Sequence, residues 1–251
     1  MKTNSFFKNT IVILITSLII KILGLLNKIL ITKSLNIDGM SLYVLTMPSV
    51  VLLTSISSLS LNSVMSKLIS QNLTVKKFSN KKLLTNAILL SLLVSIFVIL
   101  ILLLFINILT KNLLNNANLF FPILSSVFLI PLVGISDCLR GYFNGLKNMK
   151  VSSLSTLIEQ ISRITSTLVF ILITIKYNYI LSVSLCVIGL AIGEICSIIY
   201  TLIKLKKEGL ENKLGTKGEI NAIIKEAVPP TLSRLISSFS HFLEPIIYTN
   251  V

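Results

Sequence analysis

The sequence predicts an all-α polytopic membrane bundle, built as one six-helix lobe plus the first helix of a second lobe. Three observations predict it. The 251 residues are 53% hydrophobic and 13% charged, with a mean hydropathy of +0.91, whereas soluble domains carry about 25% charged residues. The apolar residues fall in runs that match a bilayer crossing, which needs roughly 20 predominantly apolar residues. The basic residues gather in every second connection between those runs. Together these exclude a soluble enzyme. The net charge of +14 suggests membrane topology and anionic headgroups rather than nucleic acid. Cys138, Cys186 and Cys196 are odd in number and lack CxxC spacing, so neither a disulfide framework nor a metal site is expected.

The first span, about 10–32, follows Lys2 and Lys8 as a signal peptide would. It is too long for one, contains Lys21 and Lys28, and lacks a small-x-small cleavage site, so it reads as a retained helix. Charge-free runs at 39–66, 83–110 and 112–136 give spans two to four. Spans five and six, 151–175 and 177–203, carry Glu159, Arg163 and Glu194 within apolar surroundings. The first bundle is thus 1–204. A charged, Gly-containing segment at 205–226 reads as a cytoplasmic linker, and 227–251 as a seventh helix opening a truncated second bundle.

Orientation follows from the bases. Sixteen fall on one side: Lys2 and Lys8 at the amino terminus; Lys67, Lys76, Lys77, Lys81 and Lys82; Arg140, Lys147 and Lys150; and Lys204, Lys206, Lys207, Lys213, Lys217 and Lys225. The alternate connections carry only Lys33, Lys111 and Lys176. Positive residues stay inside, so the amino terminus is expected in the cytoplasm of a multi-pass cell-membrane protein.

Ionisable residues within spans are costly and usually face a bundle interior or a wet cavity. Lys21 and Lys28, seven apart, share one face of the first helix with Gly24 between them and no acid in that helix. They suit an anionic, phosphate-bearing headgroup, or pairing with Glu159 or Glu194 from another helix. Glu159 with Arg163 (i, i+4) and Asp137 with Arg140 (i, i+3) can neutralise each other on their own helices. Glu194 suits either pairing with an intramembrane base or proton coupling. Gly189 and Gly193 form a small-xxx-small pattern that admits a close neighbour. Pro48 and Pro131 are expected to kink spans two and four, and Pro229, Pro230 and Pro245 to interrupt span seven. Arg234 and His241 repeat the seven-residue spacing of Lys21 and Lys28, as a second bundle built like the first would.

The stretch 137–149, DCLRGYFNGLKNM, followed by IEQISR at 158–163, resembles the signature of the polysaccharide-biosynthesis proteins around stage V sporulation protein B. The segments Ile22-Leu23-Gly24, DGMSLY at 38–43, Met47-Pro48, SKLIS at 66–70 and HFLEP at 241–245 are similar as well. That family belongs to the multidrug/oligosaccharidyl-lipid/polysaccharide exporter superfamily, so the resemblance implies two six-helix bundles around a central cavity. It implies a flippase for lipid-linked polysaccharide or peptidoglycan and spore-cortex precursors, working by alternating access and without catalysis or cofactor. Lys21 and Lys28 stand where relatives commonly carry Arg, and with Arg234 they form the expected substrate-binding set. Family members are about twice as long, so the chain corresponds to an N-terminal half: a fragment, or a protein that assembles with a second bundle from another chain or reading frame. The alternatives are a cation-coupled multidrug exporter of the same superfamily and a non-transporting scaffold for envelope synthesis. Expected partners are a lipid-linked anionic substrate and membrane lipids, with no nucleic acid.

A cysteine introduced at position 78 is therefore expected to resist an impermeant thiol reagent added outside intact cells and to react once the membrane is opened. Labelling from outside reverses the orientation.

Overall fold

The computed structural model describes residues 2–75, 78–174, 176–208 and 218–250, with side chains for 14–75, 78–174, 176–207 and 218–247. Lys76, Lys77, Lys213, Lys217 and the middle of the expected linker lie outside the described residues, as do the side chains of Lys2 and Lys8. The described chain is helical: α1 (Lys2–Ser34), α2 (Ile37–Ser58), α3 (Leu61–Val75), α4 (Asn80–Asn107) with a π-helical turn at Ile108–Leu113, a 3₁₀ turn at Ala117–Leu119, α5 (Phe120–Leu124), α6 (Ser126–Gly145), α7 (Met149–Thr174), α8 (Tyr179–Glu208) and α9 (Glu219–Asn250). Six of these stretches are long and apolar enough to cross a membrane, with α2 and α3 together forming the second. This is the all-α polytopic bundle that the composition calls for. α9, which carries Glu226, Arg234 and Glu244, is not among the six.

Several boundaries differ from the expectation. α6 runs on through Arg140 to Gly145, so Arg140 belongs to a helix and not to a connection. α9 begins at Glu219, within the expected linker, because Ile223 and Ala227 bury against the lobe and extend the helical stripe. Helix continues through Pro48, Pro131, Pro229, Pro230 and Pro245. The second span breaks instead at Leu59 and Ser60, which sit in the left-handed region at φ 46° and 50°. That conformation costs roughly 1–2 kcal/mol per L-residue, and it lets α3 leave α2 at a new angle.

Three apolar clusters build the lobe. At the end where the Lys-rich connections lie, Leu61, Val64, Met65 and Ile69 of α3 pack on Leu139, Tyr142 and Phe143 of α6. At the opposite end, Ile31, Leu102, Leu119 and Ile130 belong to a second cluster, and a small third joins Val50, Leu129, Val187 and Ala191. A seam of small hydroxyls runs between them. Ser57 Oγ lies 2.7 Å from Ser95 Oγ and donates to the Ile130 carbonyl at 2.8 Å. α1 packs chiefly on α7, which leaves a gap between α1 and α2.

The α3–α6 contact depends on two glycines. A Cβ on Gly141 would lie 2.5 Å from the Asn62 carbonyl oxygen and 2.9 Å from its Cα; one on Gly145 would lie 2.5 Å from Ile69 Cβ. Gly141→Ala is expected to force the helices apart and to destabilise the purified protein by about 1–3 kcal/mol. Gly24→Ala, which meets nothing within 4 Å, should leave the melting temperature unchanged or slightly raised. Melting in detergent by size-exclusion retention measures both.

Candidate functional site

The residues that should not be in a membrane are brought together at the meeting of α6, α7 and α8. Arg140 leaves α6 one residue before the glycine that presses on α3. Its Nη1 lies 2.9 Å from Glu159 Oε2 on α7, and its Nη2 lies 2.6 Å from Glu194 Oε2 on α8. Nε donates to Ser136 Oγ at 2.9 Å. Glu159 also holds Arg163 one turn along its own helix. Glu159 and Glu194 are buried, at 4% and 5% exposure, so each would carry a heavy desolvation cost without these partners. Serines complete the shell: Ser197 Oγ lies 2.6 Å from Ser155 Oγ and 3.4 Å from Ser136 Oγ.

The approach of α7 and α8 makes this geometry possible. A Cβ on Gly193 would lie 2.9 Å from the Glu159 carbonyl oxygen, and one on Gly189 would lie 2.7 Å from Thr167 Cγ2. The small-xxx-small pattern therefore seats Glu194, the next residue, against α7 and within reach of Arg140.

Arg140 and Asp137 act on each other electrostatically as expected, but their direct ion pairs are made elsewhere. Arg140 turns to Glu159 and Glu194, which offer two carboxylates to its planar fork, and the ion-pair partner of Asp137 is Arg234 of α9. Arg234 Nη1 lies 3.5 Å from Asp137 Oδ2 and donates to Ser58 Oγ at 3.0 Å. Thus Arg234 spends its charge on the lobe, while its side chain remains 43% exposed.

Lys21 and Lys28 are both exposed, and no described carboxylate lies within ion-pair distance of either. Their alternative partners, Glu159 and Glu194, are taken by arginines. Lys28 borders a cleft of about 440 Å³ between α1, α2 and α9, along with Asn27, Tyr43, Pro48, His241 and Glu244. Lys21 lies outside that lining, two turns away on α1. His241 Nδ1 lies 3.3 Å from Glu244 Oε1 at the cleft edge, so this wall carries an acid beside its bases. Asn27 is buried and its Oδ1 accepts from Thr167 Oγ1 of α7 at 3.4 Å.

Sequence reading missed Asn27, Tyr43, Ser58 and the Lys67–Glu226 ion pair of 2.5 Å. A polar Asn one position before Lys28 in an apolar helix was a usable signal for the first. The others depend on which helices become neighbours.

The profile of the family described as polysaccharide biosynthesis protein matches residues 6–251. The chain is 25% identical over 256 aligned positions to stage V sporulation protein B of Bacillus subtilis (strain 168), covering 98% of this chain and 49% of that protein. It thus spans about half the length of the curated relative it matches. No solved structure matches it.

The ion network should behave as one unit. Arg140→Leu leaves two buried carboxylates facing each other and is expected to cost about 3–5 kcal/mol, whereas Arg140→Leu with Glu194→Leu costs less than the sum of the single losses. Accumulation and melting of the four proteins of the cycle measure it. Strict additivity would show that the side chains do not interact.

Proposed function

The chain belongs to the polysaccharide biosynthesis protein family, and on that premise we propose that it forms one lobe of a flippase for lipid-linked polysaccharide or peptidoglycan and spore-cortex precursors. The lobe works by alternating access, completed by a second bundle, with its amino terminus and Lys-rich connections on the cytoplasmic side. No bond is made or broken in this cycle. The headgroup moves across while its hydrocarbon chain stays in lipid.

The observation that carries the reading is the cleft of α1, α2 and α9, walled on one side by a lysine with no described acid partner. An ammonium and a phosphate 4 Å apart attract by about 4 kcal/mol at an effective dielectric near 20. Lys binds such a group as a point charge and accepts many orientations. That tolerance suits a pyrophosphate that must rotate as the lobes exchange. Lys21, two turns away on the same helix, extends the positive track, and the exposed part of Arg234 adds to it from α9. A cation-exporting site would instead present acids without counter-charges, and the three buried carboxylates on α6, α7 and α8 are each paired with an arginine.

Binding of a fluorescent polyprenyl-pyrophosphate disaccharide to the protein in nanodiscs tests this. Lys28→Ala is expected to weaken binding on the order of tenfold, about 1.4 kcal/mol, with melting unchanged. Lys28→Arg should keep most of the affinity, and Lys28→Glu should be worse than Ala. Normal binding and flipping by Lys21→Ala/Lys28→Ala would remove the headgroup from this cleft.

A further inference from the structure

The buried acids of α6, α7 and α8 outnumber the arginines of those helices. α6, α7 and α8 contribute three carboxylates to the interior, Asp137, Glu159 and Glu194, and two guanidinium groups, Arg140 and Arg163. Both of these bases are engaged with the two glutamates. The remaining acid, Asp137, is 9% exposed, and its ion pair is with Arg234 of α9; α9 also buries a carboxylate of its own, Glu219, in its first turn. The other contacts of α9 lie on the same face. Glu226 meets Lys67 of α3 at 2.5 Å, Ser238 Oγ lies 2.9 Å from Ser55 Oγ of α2, and Ile223 and Ala227 enter the apolar cluster of α3 and α6.

We infer that Asp137 and Arg234 form a proton-releasable latch that docks α9 on the lobe. The docked state needs the Asp137 carboxylate charged. When that carboxylate takes a proton from water, Arg234 loses its counter-charge, keeps its own positive charge, and moves away from Asp137, its side chain being already 43% exposed. In the reverse sense, departure of α9 leaves Asp137 without its direct ion pair, facing an Arg140 already bound to two glutamates, and protonation of Asp137 relieves that cost. The two events are therefore linked, each favouring the other.

The surroundings make the coupling specific to this acid. The charged groups facing Asp137 are Arg140 on its own helix, Glu159 on α7 and Arg234 on α9, with Glu194 of α8 and Arg163 of α7 one partner further away. α2 presents the neutral Ser58. Lys67 of α3 is exposed and committed to Glu226. Protonation of Glu159 or Glu194 would instead loosen α6 from α7 and α8 without touching Arg234. The other polar contacts of the α9 seam are weak, an exposed ion pair being worth about 0–1 kcal/mol and a serine pair being replaceable by water, and the apolar contacts of Ile223 and Ala227 do not depend on pH. This inference does not rest on what is transported.

Electron–electron distance measurement tests it, with spin labels on Leu154→Cys of α7 and Ser233→Cys of α9, both exposed. The full chain is reconstituted with Cys138, Cys186 and Cys196 replaced by Ala. Lowering pH from about 8 to about 5 should raise the undocked population on the order of tenfold, about 1.4 kcal/mol. Asp137→Asn should show the undocked population at both pH values. Asp137→Asn with Arg234→Gln, which replaces the charged pair by a neutral one, should return α9 to the lobe and remove the pH response. The inference is overturned if the parent shows no response, if Asp137→Asn keeps it, or if Asp137→Asn stays docked as the parent does.

Discussion

Arg140 is the residue on which the lobe is hung. A bilayer offers helices no hydrophobic reason to prefer each other over lipid, so specific association has to come from close packing and polar contacts. One guanidinium, with donors fixed in a plane, meets carboxylates from two different helices and a serine on its own. Three long helices are thereby set in register at one depth. A lysine could satisfy the charge of one glutamate, but it lacks the fork that reaches both. The glycines on either side of the network serve the same end. Gly141 and Gly145 bring α3 onto α6, and Gly189 and Gly193 bring α8 onto α7.

This gives the most recognisable stretch of the sequence a physical meaning. In 140–145 and 158–163 the arginine and glutamate make the ion pairs, the glycines permit the helix approach, and Tyr142 and Phe143 fill the core beside α3. Asn144 donates to Asn62 Oδ1 at 3.1 Å, fixing α6 on the start of α3. The ion-pairing, glycine and aromatic positions of this stretch face other helices of the same lobe.

The helical class and the six apolar crossings were legible because run length and charge depend on local composition alone. So was the Glu159–Arg163 pair, whose spacing is a property of one helix. Arg140 was misread as a loop base because an arginine followed by glycine near a Lys-containing connection looks like a helix end, while its real partners stand 19 and 54 positions along the chain. The break at Leu59–Ser60 has no local marker, since neither residue favours the left-handed region. Prolines that looked like breaks sit within continuous helix. Asn27 and Tyr43 could be assigned to a cleft only after α1 had chosen α7 over α2, a tertiary decision that no single helix encodes.

The length of α2 has a consequence for the environment of the charges. Its 22 residues span about 33 Å at 1.5 Å per residue, close to the roughly 30 Å of a hydrocarbon core. Starting from the turn at the Lys-poor end, the left-handed break therefore falls where the acyl chains of the opposite leaflet give way to glycerol and phosphate. Ser58, and with it Asp137 and Arg234, lies at that same level. The medium just outside these charges is then a layer of lipid phosphates, ordered water and counter-ions. The length of one helix thus sets these charges at the level where the proportion of anionic lipid fixes the local concentration of protons and salt.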